Sequence, residues 1–80
     1  MNTTTPASLR AYNRSYGVVV DMTGECLAAN VRASTAVRRT VDGEYAVISA
    51  RPRRDGTLVL IATFQCPNRA FNYNFSLGRN

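Results

Sequence analysis

Two β-rich stretches flank one Asp-Gly pair near the middle of the chain: Val37-Arg38-Arg39-Thr40-Val41, then Asp42-Gly43, then Glu44 to Ala50. Asp-Gly between such stretches predicts a β-hairpin, because both central turn residues need positive φ. A two-residue turn sets Val41 opposite Glu44 and Val37 opposite Ile48. Arg39 then lies opposite Ala46, and Arg38 lies opposite Val47 on the other face. One of these arginines is expected to reach solvent, and the other to snorkel or pair with an acid.

Other elements follow from the same pattern. Gly17 to Met22 is a β-branched run and predicts a strand, turned by Thr23-Gly24-Glu25. In Cys26 to Ala33 the residues Leu27, Ala29, Val31 and Ala33 alternate, which favours a strand hairpinned to the first. Ala33, Ala36 and Val37 also stand at helical spacing, so a helix is the alternative. Arg51 to Gly56 reads as a second hairpin loop, with Pro52 as breaker and Asp55-Gly56 as turn. Thr57 to Phe64 is apolar on both faces and predicts a strand covered on both sides. Gln65 to Asn68 reads as a loop. Ala70 to Leu77 alternates Phe71, Tyr73, Phe75 and Leu77 against Asn72, Asn74 and Ser76, the pattern of a last strand.

The N-terminal part departs from this alternation. Thr5-Pro6 has the form of an N-cap followed by Pro at the first helical position. Leu9, Tyr12 and Tyr16 would share one helix face, which predicts a short helix over Pro6–Arg14, with an irregular arm carrying Arg10 and Arg14 as the alternative. Residues 1–5 and the tail 78–80 are expected to fray. The fold class predicted is α+β, dominated by an antiparallel sheet of five or six strands, as a partial barrel or a sheet with one short helix. Eighty residues make a single domain, 1–80.

Composition narrows the chemistry. There is no His, Lys or Trp, and all ten basic residues are Arg. That removes His-based acid–base pairs and triads, Schiff-base lysines and the Walker lysine. Cys26 and Cys66 are not spaced as a metal-binding pair and read as two small buried hydrophobes, with a single disulfide between them as the alternative that a cytosolic setting disfavours. The five acids stand at or near proposed turns, where turn formation accounts for them. The expectation is a protein that is not an enzyme, with no catalytic residue, metal or cofactor. There is no apolar run of bilayer-spanning length and no greasy N-terminal segment, so a cytoplasmic location and no membrane partner are expected.

The net charge of +5 directs attention to acidic partners. Three arginines fall within four residues at a hairpin tip, Arg51-Pro52-Arg53-Arg54, a candidate probe for phosphates or for an acidic protein groove. Arg38 and Arg39 join them as candidate partner-binding residues. The Phe71, Tyr73, Phe75 stripe has two readings, a base-stacking platform with Arg69 beside it or, favoured here, one wall of the core.

A lone small domain without a catalytic set, carrying an isolated charged loop at Arg51-Pro52-Arg53-Arg54, resembles the small phage-encoded anti-CRISPR proteins. The resemblance is one of type over the whole chain, with no shared motif, and it carries no functional residue across. It implies a stoichiometric inhibitor that binds a CRISPR effector complex and blocks target-DNA recognition or nuclease recruitment; the sequence leaves the oligomeric state open, with a monomer favoured. Many such proteins are acidic, and the basic charge here departs from a DNA-mimic mode. It fits an acidic protein surface or a nucleic-acid-bearing complex as partner, with direct nucleic-acid contact allowed. An inhibitor of this kind binds its protein target tightly and free DNA poorly. A nucleic-acid-binding module would instead bind DNA or RNA with a log affinity falling linearly in log salt. A virion decoration protein, the third reading, would be an oligomer with an exposed apolar patch.

Overall fold

A computed structural model describes residues 9–13 and 17–77. Five strands follow one another, β1 (Arg10–Asn13), β2 (Val18–Asn30), β3 (Thr35–Thr40), β4 (Tyr45–Ser49) and β5 (Leu58–Phe64). One helix, α1 (Pro67–Ser76), ends the described chain. The expected α+β class, mostly antiparallel strand with one short helix, is what the structure has.

The strands close into a barrel. Each consecutive pair is antiparallel, so an odd number of strands leaves the first and last running in the same direction. The closing seam is accordingly parallel, Ala11 against Leu58 and Tyr12 against Val59. Closure removes the exposed edges that a five-stranded open sheet would carry.

The longest strand makes closure possible. β2 pairs with β1 through Val18–Asp21 and with β3 from Met22 to Asn30. Its register slips between Met22 and Cys26 and again before Ala28. Gly24 sits in that irregular stretch at φ +88, a backbone conformation that glycine adopts freely. Thr23-Gly24-Glu25 is therefore a bulge that bends a continuous strand, not the hairpin turn expected from composition. The strand expected over Cys26–Ala33 is its second half and stops at Asn30. There the Asn30 side chain accepts the Ala33 N–H at 3.2 Å and shapes the turn into β3.

Both Asp-Gly pairs build the same three-residue turn. In the first, the Thr40 N–H donates to the Glu44 carbonyl at 2.9 Å and the Gly43 N–H to the Thr40 carbonyl at 3.1 Å, with Gly43 at φ +86. In the second, the Arg53 N–H donates to the Thr57 carbonyl at 2.7 Å and the Gly56 N–H to the Arg53 carbonyl at 2.9 Å, with Gly56 at φ +87. This is the bulged hairpin turn, in which only the glycine takes positive φ. Its extra loop residue moves the β3–β4 register by one from the two-residue expectation. Val37 faces Val47, Arg38 faces Ala46 and Arg39 faces Tyr45.

Alternation along the strands feeds two cores. Ala11, Met22, Ala36, Ala46, Ile48, Leu58 and Leu60 fill the barrel. Val37 and Val47 point the other way, are fully buried, and meet Ala70 of α1, with Ile61, Phe64 and Phe71 packed around them. Each buried valine stabilises the fold by about 1.5–3 kcal/mol relative to exposure. β5 is thus covered on both faces, as its double-sided apolarity predicts.

The two ends of the chain correct the sequence reading. Arg10–Asn13 is a strand, so the helix expected over Pro6–Arg14 does not form there; residues 6–8 and 14 lie outside the described residues, as do 1–5 and 78–80. The strand expected over Ala70–Leu77 is helix α1, which also takes in Pro67 and Asn68 of the expected loop. Pro67 at the first helical position supplies the preset φ and needs no N–H partner. The buried helix positions Ala70 and Asn74 stand four apart, with Phe71 and Leu77 on the same packed side. This helical period underlies the alternating aromatics. Phe71 joins the core, whereas Tyr73 is 37% and Phe75 69% exposed, so the stripe is neither a core wall nor a flat platform. Both cysteines are exposed and unbonded, not buried.

Candidate functional site

The arginines expected to meet a partner divide among different surroundings. Arg51, Arg53 and Arg54 are all exposed on the β4–β5 loop, which the Asp55 turn holds in shape. The Asp55 Oδ1 accepts the Thr57 hydroxyl at 2.6 Å and the Thr57 N–H at 3.0 Å. These two bonds, the hydroxyl's foremost, and the nearby Arg53 charge hold the Asp55 carboxyl below the usual carboxylate range against a small opposing effect of burial. Arg54 stands at the turn itself. Arg39 is exposed on β3, and Arg38 is half-buried on the face it shares with Ala36 and Thr40.

Two clefts gather these groups. Arg38 and Arg51 line one together with Cys26, Asn30 and the exposed Val31. Arg53 enters the other, a cleft of about 290 Å³ shared with Arg10, Tyr12, Val19, Asp55 and Thr57. There the Arg53 guanidinium carbon stands 5.3 Å from the centre of the Tyr12 ring. Such a cation–π contact at an exposed site contributes about 0.5–1 kcal/mol. Arg39 and Arg54 line neither cleft.

Arg10 and Tyr12 are the residues that sequence reasoning passed over as site candidates. Both project outward from β1 while Ala11, between them, turns into the barrel. The polar–small–aromatic alternation Arg10-Ala11-Tyr12 carried the signal, but the Thr5-Pro6 cap assigned it to a helix. Arg10 lies across from Asp21 in the β1–β2 register. Even so, among the described residues no arginine is in ion-pair distance of a carboxylate. The Nε atoms of Arg10 and Arg38 are enclosed and have no hydrogen-bond partner.

Negative charge collects elsewhere. A groove of about 580 Å³ is lined by Asp21, Asp42 and Glu44 with the exposed Val18, Val19 and Val41, and by no arginine among the described residues. No group of three His, Cys, Asp or Glu among the described residues is placed to hold a metal ion, and no helix among them is long and apolar enough to cross a membrane.

Fold and surface together define a small basic β-barrel backed by a C-terminal helix, with Arg39, Arg51, Arg53 and Arg54 exposed on β3 and the β4–β5 loop. Comparison of the chain with protein-family models, curated proteins and solved structures finds no match.

Proposed function

We propose that this protein is a non-enzymatic docking domain that binds a polyanionic assembly stoichiometrically through its arginines. The form that its resemblance to anti-CRISPR proteins implies is occlusion of a CRISPR effector complex, so that target DNA is no longer recognised. Arg51, Arg53 and Arg54 make the principal contacts, and Arg38 and Arg39 extend them toward acidic side chains or phosphates of the partner.

The observation that carries the reading is the lack of any carboxylate partner for the described arginines, combined with a loop braced at Asp55–Thr57. A guanidinium fork matches carboxylate and phosphate geometry. Holding it in place beforehand lowers the ordering cost of binding. A second reading, a nucleic-acid-binding module, is favoured by the Arg53–Tyr12 cation–π contact beside Arg10.

Titration of labelled single- and double-stranded DNA at two salt concentrations separates the two. The occluding inhibitor binds free DNA poorly at both. The module binds it with a log affinity falling linearly in log salt. The combined R51A/R53A/R54A variant tests both readings. It is expected to fold as the parent does and to lose its binding. A folded variant with full binding would reduce the loop to a connection between strands.

A further inference from the structure

We propose that the cleft between β1 and the β4–β5 loop takes one nucleotide of a single strand, its base stacked on the outer face of the Arg53 guanidinium and its phosphate on Arg10. The inference deepens the docking reading and rests on it.

The cleft differs from the rest of the basic surface in three ways. First, it joins two elements far apart in sequence, so its geometry is set by the closed barrel and not by a single loop. Second, the Tyr12 ring backs the Arg53 guanidinium at 5.3 Å. The guanidinium group is planar, and bases stack on such planes as they do on aromatic rings. Third, Asp55, whose Oδ1 accepts both Thr57 bonds, lines the cleft beside Arg10 and Arg53. A carboxylate beside two arginines makes the cleft a poor home for a bare anion. It suits a ligand with an anionic end and a hydrogen-bond donor edge, which a phosphorylated, amino-bearing base combines.

Arg10 supplies the anionic subsite. It has no carboxylate partner among the described residues, and enclosure of its Nε by neighbouring atoms holds the stem in place. The terminal amino groups are then left to meet a phosphate oxygen. A cleft of about 290 Å³ falls just below the usual span of small-molecule pockets, about 300 to 1,000 Å³, and so suits one nucleotide and not a longer strand. A single such subsite binds weakly by itself, which agrees with poor binding of free DNA by an inhibitor.

The test is an NMR titration that follows the arginine Nε–Hε and tyrosine ring signals with adenosine 5′-monophosphate, with adenosine alone and with inorganic phosphate alone. The expected result is saturable shifts at Tyr12, Arg53 and Arg10, with the nucleotide bound at least about fivefold tighter than either part, the low end of one base stack. Y12L and R53K should remove that gain while keeping the amide spectrum of a folded barrel, since Lys keeps the charge but not the plane. R32A, outside the cleft, should retain it. Equal affinity for phosphate and nucleotide, or shifts spread over Arg32, Arg51 and Arg69, would overturn the proposal. If the nucleotide fails to bind while R51A/R53A/R54A loses its partner, the cleft inference falls and docking stands. If the nucleotide binds as described and that variant keeps its partner, the docking reading falls instead.

Discussion

The Thr35 hydroxyl donates to the Asn74 side-chain oxygen at 2.6 Å, across 39 residues of sequence and in a buried setting. The same asparagine's main-chain carbonyl accepts the Asn30 side-chain amide at 2.7 Å. Together these bonds fasten α1 to the start of β3 and the end of β2. They explain why a polar residue is buried at the helix–barrel seam.

N74A should therefore destabilise the protein by about 1–3 kcal/mol, because it strands the buried Thr35 hydroxyl without its acceptor. A combined T35V/N74L variant should recover much of that loss, since replacing both polar partners by apolar groups leaves nothing unpaired. Urea unfolding checks both, with a lowered midpoint and an unchanged slope expected for N74A. A loss for N74A within error of zero would mean that the bond does not hold the helix.

The aromatic positions of α1 give a sharper contrast. F71A should cost about 1.5–3 kcal/mol, because its ring packs against the Val37–Val47–Ala70 core, and F75A should cost less, because that ring is 69% exposed. A strand over these residues, the reading their alternation suggests, would put Phe71, Tyr73 and Phe75 on one face and make the two losses equal. Paired denaturation curves of the two variants decide the matter.

That pair also shows what the sequence discloses and what it conceals. Strand positions, the Asp55-Gly56 loop and the two-faced burial of β5 follow from local patterning, since each is set by turn chemistry and β-branched composition. The last element was misread because period two in the aromatics is visible, while the helical period of Ala70, Asn74 and Leu77 includes a small residue and a polar one. The Asn74 burial that makes sense of it depends on Thr35 and Asn30, which no local window contains. The first element failed for the mirrored reason. Thr5-Pro6 and Cys66-Pro67 both place Pro where a helix can start, and tertiary pairing with β2 and β5 draws Arg10–Asn13 into the barrel. The basic loop was legible as a run of charge. The Arg10–Tyr12–Arg53 cleft was not, because it exists only once β1 and the loop are brought together by closure.

Turn chemistry yields a backbone test. Nothing lies within 4 Å of a Cβ added at Gly43, so G43A pays only for its φ of +86. That cost should be about 1–2 kcal/mol. G43N should lose less, because asparagine tolerates left-handed backbone better. Thermal melts of the two variants rank them, and an alanine variant as stable as the parent would contradict the turn geometry described here.

Asp55 links the loop to pH. Its folded carboxyl is held below its ordinary value, so the folded state binds this proton less readily than the unfolded chain. The stabilisation is therefore fully present above the unfolded value of about 3.9 and is lost as pH falls through the lower folded one. D55N should flatten this part of the acid limb between pH 5 and the lowest pH at which the barrel survives. Loop amide exchange, or the Tyr12 ring signal beneath Arg53, should follow the same change. An identical acid limb in parent and variant would show that the Thr57 bonds do not favour the ionised form.

The measurement that bears most directly on the docking account is a titration of the protein against guide-loaded CRISPR effector complexes, with binding of a labelled target duplex as readout and molar ratio as the variable. The account predicts a complex whose target binding falls linearly and stops near one equivalent, and a folded R51A/R53A/R54A variant that leaves it intact. Loss of target binding at a small fraction of an equivalent, equal loss with the variant, or no loss with any effector type would each contradict it.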